Sequence, residues 1–209
     1  MRRHRFASTR RGTCDPSKII LHSPQTEIIR HRNGGTVDII ETIMWMDAHS
    51  EKWVDATNVD CLRGETDYET LHNVWQFVKR NLRYQADRPG HERVKSPGAL
   101  YSSGHGDCKS FSIAEGALLR AFGIPYRYRF AAYEPGDYTH VYLVARLDDG
   151  RDVVMDAVHT DFDSEVPYKK KKDIMPATTT AINALPPTAP KYNLGGLIAT
   201  GLFIYLLSR

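Results

Sequence analysis

The chain has 209 residues, of which 41% are hydrophobic and 25% are charged, and this composition is that of a soluble globular protein with room for one domain and tails. The formal net charge of +3 is too small for a protein that coats nucleic acid, so we expect local anionic contacts and no specific nucleic-acid site. Cys14, Cys61 and Cys108 lie far apart and match neither a disulfide framework nor a zinc motif. This cysteine usage predicts a reducing compartment.

The first twelve residues contain five arginines and are followed by no apolar run. We therefore predict no signal peptide and synthesis in the cytoplasm. One interpretation of this arm is a solvated, disordered segment, and the other is a contact with phosphate, nucleic acid or another subunit. Residues 1–35 are assigned to the arm and an irregular segment, in which 27–30 has the pattern of a strand.

Two amphipathic helices are predicted next. The first runs from Thr36, a candidate cap, to about Glu51, and the second runs from Asp67 to Leu82. The apolar stripe of the second helix suits packing against another helix. Residues 85–104 contain prolines and glycines and are predicted to be a loop that forms one wall of a cleft.

A glycine-rich turn, Gly104 to Asp107, leads to Cys108 at the start of an apolar-faced helix, which Gly123 and Pro125 end. A thiol at a helix N-terminus lies beside unpaired backbone N–H groups and the positive end of the helix dipole, which favour the thiolate and can hold an oxyanion. Cys108 is therefore a candidate nucleophile. The alternative is a small buried hydrophobic residue.

Three strands are predicted downstream. Residues 126–130 alternate between aromatic and basic side chains, and 139–147 and 151–156 form a hairpin around a three-residue loop that ends in glycine. That loop length places Asp156 opposite Tyr142 and diagonal to His140 on one face of the sheet. The register permits a relay of Cys108, His140 and Asp156.

Two other histidines are rival bases. His105 lies three residues before Cys108, where its ring would struggle to reach the thiol. His159 follows Asp156 closely and is interpreted as a surface residue. His140 remains the preferred candidate.

These residues resemble the transglutaminase-like superfamily of papain-type cysteine enzymes. The matching features are Trp75 to Tyr84, Gly106-Asp107-Cys108, the run 118–125, His140-Val141-Tyr142 and Asp156, within roughly residues 36–162. The resemblance implies an α+β fold in which the helix that bears the nucleophile packs on an antiparallel sheet. It also implies Cys108 as nucleophile, His140 as base and Asp156 as the orienting acid. The pattern is similar to that of phage and prophage members.

The chain departs from the family pattern at three places. Ser110 stands where many relatives have aspartate, Tyr142 where they have tryptophan, and Ala157-Val158 where Pro-Thr is common. None of these changes removes a catalytic group.

The resemblance implies a thiol-dependent amide hydrolase or acyl transferase that needs no metal or organic cofactor. Its catalytic domain is placed at residues 36–165, and Tyr84, Gly106, Asp107 and Tyr142 are expected to bind substrate. The substrate is a peptide or protein, with cell-wall peptide and a viral protein as candidates. The alternative is a non-catalytic structural or assembly protein of a virion or membrane complex that keeps the fold.

The last part of the chain changes in character. Residues 166–190 hold a lysine run and a linker rich in Pro, Thr and Ala, and 191–209 form an apolar tail. The uncharged stretch from Leu194 to Leu207 would make a helix of about 21 Å, short of the roughly 30 Å hydrocarbon core. A membrane anchor and a helix docked on protein are both compatible with this stretch. A virion-associated location is what the resemblance to phage members implies.

Overall fold

A computed structural model describes residues 14–21, 26–32, 35–88, 91–176 and 202–208, and only the backbone of 26–32 and 202–208. The arginine-rich arm and most of the predicted linker lie outside the described residues, so nothing in the structure bears on their predicted partners.

Helices and strands alternate irregularly along the chain. The helices are α1 (Pro16–Ile19), α2 (Thr36–Ala48), α3 (Asp67–Asn81), α4 (Pro97–Ser103) and α5 (Cys108–Phe122), with short 3-10 helices at Ser50–Lys52 and Val59–Leu62. The strands are β1 (Thr26–Arg32), β2 (Arg83–Tyr84), β3 (His91–Lys95), β4 (His105–Gly106), β5 (Tyr126–Ala132), β6 (His140–Arg146), β7 (Asp152–Met155), β8 (Lys170–Ile174) and β9 (Leu202–Ser208).

The main sheet has the order β7-β6-β5-β8, and all its neighbouring strands are antiparallel. Helix α5 is buried along nearly its whole length, from Cys108 to Leu119, and shares one apolar core with this sheet and with α3. The predicted α+β fold, with the nucleophile helix on an antiparallel sheet, is confirmed.

The alternation in β5 sets the two faces of the sheet. Tyr126 and Tyr128 face the core, where both hydroxyls donate to Asp47 of α2. Arg127 and Arg129 point to the other face and pair with carboxylates of neighbouring strands, including Asp173. The aromatic and basic pattern therefore belongs to a half-buried strand, and the predicted strand at 126–130 is confirmed.

The predicted β6–β7 hairpin is confirmed in its register. Leu143 pairs with Met155 and Arg146 with Asp152, so the next pair in the same register is Tyr142 with Asp156. Gly150, the last residue of the loop, has a φ of +85°, which glycine adopts at little cost.

Helix boundaries follow local capping. Helix α5 starts after Asp107, whose side chain accepts a hydrogen bond from Ser110 N, and ends at Gly123 with a φ of +73°. For α2 the prediction was off by one residue, because Gly35 is the cap and Thr36 is already helical.

The predicted loop at 85–104 contains a strand and a helix. Ser96 caps α4 by accepting from Ala99 N, Pro97 occupies its first turn, and Gly104 ends it with a φ of +68°. Ser96-Pro97 is a sequence signal for the start of a helix. The prediction of a loop used only the proline and glycine content of the segment and did not use this signal.

Described residues on both sides of the predicted domain 36–165 pack against its elements. The lysine run forms β8 at an edge of the main sheet, where exposed lysines discourage pairing with another chain. At the other end, Ile19 and Ile20 are fully buried and Ile20 bridges Val54, so the core includes residues before 36.

The C-terminal segment is not helical where it is described. Residues 202–208 form β9, which pairs with β1 in parallel and with β3 in antiparallel orientation, instead of the end of the predicted helix. Among the described helices, none has the length and apolar character to cross a bilayer.

Cys14 and Cys61 form a disulfide, with a Cα–Cα distance of 5.7 Å across a separation of 47 residues. The prediction that the chain has no disulfide is therefore wrong, and the expectation of a reducing compartment loses its basis. The pairing depends on how α1 docks beside the second 3-10 helix, and cysteine spacing alone carries no such information. Cys108 is the one free cysteine of the chain.

Candidate active site

Cys108 lies in the first turn of α5 and is 8% exposed. The turn before it needs glycine, because a Cβ on Gly106 would lie 2.5 Å from Leu100 Cδ1 and 3.1 Å from Ser110 Cβ. The cap formed by Asp107 fixes where the helix begins. Sequence and packing together thus hold the thiol at the helix N-terminus, where backbone N–H groups are unpaired.

Ser112 links the nucleophile helix to the sheet. Its Oγ lies 2.8 Å from the Cys108 carbonyl oxygen and 3.0 Å from that of Val141, the residue after His140. The hydroxyl can donate to either carbonyl. This contact sets the start of α5 against the strand that carries His140.

His140 and Asp156 share a hydrogen bond of 2.7 Å between Nε2 and Oδ2. The second carboxylate oxygen of Asp156, Oδ1, accepts from Val158 N at 3.0 Å and His159 N at 3.3 Å. Both oxygens of Asp156 therefore have donors. With Nε2 facing Asp156, Nδ1 is the ring nitrogen left for the thiol.

The protonated, positively charged form of His140 is strongly favoured. Burial alone would lower its pKa, but hydrogen bonds and charge interactions with Asp156 and Cys108 outweigh it and raise the pKa of His140 to about 10. The imidazole therefore carries a proton at neutral pH. A protonated histidine between a carboxylate and a thiol is an arrangement that stabilises a thiolate.

Helix α3 supports the loop that follows Asp156. Trp75 Nε1 donates to the Asp156 carbonyl oxygen at 2.8 Å, and Lys79 Nζ donates to the carbonyl oxygens of Ala157 and His159 at 3.2 and 2.6 Å. The role of Lys79 was not predicted from the sequence. The signal for Lys79 was weak, since it is one of several cations on an amphipathic helix.

The four predicted substrate-binding residues have different surroundings. Tyr84 is 47% exposed, and pairing of β2 with β4 places it opposite Gly106, beside the nucleophile turn. Its pKa is raised by burial and then by the nearby Cys108. Asp107 is buried, and its side chain accepts a hydrogen bond from Ser110 N within the turn. Tyr142 is 2% exposed, and its hydroxyl donates to Glu165 at 2.7 Å. Tyr84 is thus the member of this set with a large exposed surface.

The rival histidines are engaged elsewhere. His105 Nδ1 lies 2.8 Å from the Ser103 carbonyl oxygen, and His159 Nδ1 lies 3.2 Å from Asp161 N. Each histidine therefore makes a local contact within its own turn, whereas His140 bonds to Asp156 across the hairpin.

Two buried features near the site were missed from the sequence. Glu115, on α5, is 1% exposed, and burial followed by the charge of Asp156 raises its pKa well above the usual value. Asp87, Glu92 and Asp107 bring carboxylate oxygens within 4.8 Å of one another, a spacing that could hold a cation, and Lys109 lies among them.

Comparison with known proteins agrees with this architecture. Residues 56–157 match the family described as the transglutaminase-like superfamily. This segment, which runs from before α3 to just past Asp156, is therefore similar to transglutaminase-like domains. No curated protein sequence matches the chain.

Several solved structures are similar at low identity. LapG of Legionella pneumophila, in its calcium-bound form, is 20% identical, with 57% of this chain and 75% of that chain covered and a TM-score of 0.43. A provisionally named cysteine protease from Cytophaga hutchinsonii is 19% identical, with 60% and 45% covered and a TM-score of 0.41. A provisionally named protease from Parabacteroides distasonis is 14% identical, with 55% and 26% covered and a TM-score of 0.40. The chain thus spans less than half of these last two proteins, and likenesses this distant carry no argument about function.

Replacing Asp156 with asparagine is expected to lower the pKa of His140 clearly from about 10, because burial then opposes the charge and Cys108 alone is left to favour it. An NMR titration of the ring nitrogens measures this pKa directly. In the unchanged protein the raised pKa adds stability that is complete below pH 6.5 and is lost as the pH rises through about 10. The stability advantage over Asp156→Asn should therefore shrink across that interval.

The matched control is Asp161→Asn, which removes an exposed carboxylate just beyond the same loop. It should leave the His140 titration unchanged. A His140 pKa near 6.5 in the unchanged protein would contradict the ion pair.

Proposed function

We propose that this chain is a thiol-dependent amide hydrolase or acyl transferase of the cysteine peptidase type. The observation that carries the proposal is the bond of 2.7 Å between His140 and Asp156, next to a cysteine at a buried helix N-terminus. Cys108 acts as nucleophile, His140 as acid and base, and Asp156 as the group that orients the imidazole. The proposed function is thus supported by the chemistry of these three side chains and does not rest on the fold alone.

The reaction starts from a Cys108 thiolate and a protonated His140. The sulfur attacks the amide carbonyl, and the backbone N–H of Cys108 at the start of α5 stabilises the oxyanion. His140 gives its proton to the leaving amine as the C–N bond breaks, which leaves a thioester on Cys108. His140 then takes a proton from water or an acceptor amine, which attacks the thioester and releases the thiolate. Water gives hydrolysis and an amine gives acyl transfer.

The proposed substrate is a peptide or protein. Tyr84 supplies an exposed aromatic surface beside the nucleophile turn, which suits contact with an extended substrate backbone. Cell-wall peptide and a viral protein stay predictions, as do phage origin, a virion or membrane location and an anionic partner for the arm. No comparison bears on them.

Alkylation of the purified chain with iodoacetamide tests the proposal. Cys108 should react at pH 6 roughly tenfold or more faster than free cysteine, because a thiolate paired with an imidazolium persists at a pH where an ordinary thiol is protonated. Cys14 and Cys61 are held in the disulfide and should stay unlabelled without reductant. Mass spectrometry of tryptic peptides gives the rate for each cysteine.

The control is His140→Gln, which removes the imidazolium and should bring the rate at pH 6 down to that of an ordinary thiol. Equal rates for the unchanged chain and His140→Gln would contradict the proposed ion pair.

A further inference from the structure

Lys109 directly follows the candidate nucleophile, and its ammonium group lies among three carboxylates. Its Nζ is 2.6 Å from Glu92 Oε2 and 3.6 Å from Asp87 Oδ2, and it also bonds to Asp107. Lys109 is only 8% exposed. Lysine is rarely buried unless it is paired, so these contacts are what keeps the side chain in place.

The three carboxylates come from separate parts of the structure. Asp107 caps α5, Asp87 follows β2, and Glu92 belongs to β3. Like charges this close repel one another, and the repulsion is stronger where water is excluded. A cation at this point therefore holds Asp87 and Glu92 to the first turn of the helix that carries Cys108.

We propose that the ammonium group of Lys109 is a built-in counter-ion for the nucleophile turn. It holds the three carboxylates together as a bound divalent cation would, and it is attached to the chain through its own side chain. Lys109 is thus a positioning residue that acts on Cys108 through Asp107. The proposal rests on the proposed function only for its effect on turnover, since its effects on stability and cation response do not require an enzyme.

The test is Lys109→Met, which keeps the length and apolar character of the side chain and removes the charge. In EDTA its Tm should be lower than that of the unchanged protein by roughly 10 °C, because the buried Asp107 and the partly buried Asp87 and Glu92 lose their shared partner. Millimolar CaCl2 should restore most of this loss, since calcium accepts carboxylate oxygens at flexible geometry and completes its shell with water. The Tm of the unchanged protein should be the same in EDTA and in CaCl2.

Lys95→Met is the matched control. Lys95 is also 8% exposed and lies close by, but its Nζ donates to Ser103 Oγ at 2.9 Å and to the His105 carbonyl oxygen at 2.7 Å. This variant should lose stability and show no response to calcium. Lys109→Arg keeps the charge and should stay closer in Tm to the unchanged protein than Lys109→Met does.

The alkylation rate of Cys108 is a second measurement. This rate should fall in Lys109→Met and recover with CaCl2. A calcium-dependent Tm in the unchanged protein would overturn the proposal, because the cation would then not be built in. So would a Lys109→Met variant that is fully stable in EDTA, or one that stays unstable or unfolded in both buffers. None of these outcomes depends on amide turnover, so they are distinguishable from a failure of the proposed function.

Discussion

Cys108→Ala is expected to abolish amide hydrolysis or transfer, with a fall in turnover of roughly 10⁴-fold or more, because the proposed thioester forms on the Cys108 sulfur. The fold should be unchanged, since alanine is small and favourable in a helix. Turnover of a casein or peptide mixture, measured as released amine, tests the activity, and circular dichroism tests the fold. His140→Ala should be nearly as damaging and Asp156→Ala less so, because the orienting group contributes less than the nucleophile or the base.

The control for this experiment is Ser110→Ala. Ser110 lies two residues further along the same helix, and its hydroxyl contacts Asp107 and Lys95 N. This change should lower turnover far less than the loss of the thiol does. If Cys108→Ala keeps its turnover, the enzymatic proposal fails and the non-catalytic assembly protein becomes the better interpretation.

Asp47→Ala is expected to lower the free energy of unfolding by about 3–5 kcal/mol, the range for breaking a buried charge network by removing one partner. Asp47 is fully buried in α2, and it accepts hydrogen bonds from Tyr126 OH and Tyr128 OH and pairs with Arg120. The three partners come from α5 and β5, so one carboxylate ties α2 to both. Urea unfolding followed by fluorescence measures the change.

Glu41→Ala is the matched control, because Glu41 is an exposed carboxylate on the same helix. Its effect should stay within about 0.5 kcal/mol, as is usual for surface substitutions. Similar losses for the two variants would show that the network around Asp47 does not stabilise α2.

The elements that could be predicted are those whose limits are set locally. Helix α5 has its cap and its closing glycine in its own sequence, and the β6–β7 hairpin has its register fixed by a three-residue loop. For this reason the sequence alone predicts that Asp156 lies opposite Tyr142. Tyr142 and Asp156 are predicted to share a face of the sheet with His140, because side chains alternate between the two faces along a strand.

The elements that could not be predicted depend on distant partners. The sequence of strand β8 has the pattern of a solvated lysine run, because an edge strand exposes most of its side chains and contains few apolar residues. The contacts that support the candidate site could not be predicted either. The carbonyl acceptors of Lys79 and the carboxylates around Lys109 come together only through packing of elements that lie apart in sequence.

The disulfide has a consequence for how the chain reaches its native state under oxidising conditions. Three cysteines allow three pairings, and two of them would use the sulfur of Cys108 and leave no free thiol at the helix start. In the native structure Ile19 and Ile20, at the end of α1, are packed into the core, and Ile20 is bridged to Val54. The packing of this four-residue helix thus holds Cys14 where it meets Cys61, and the native pairing leaves the thiol of Cys108 free.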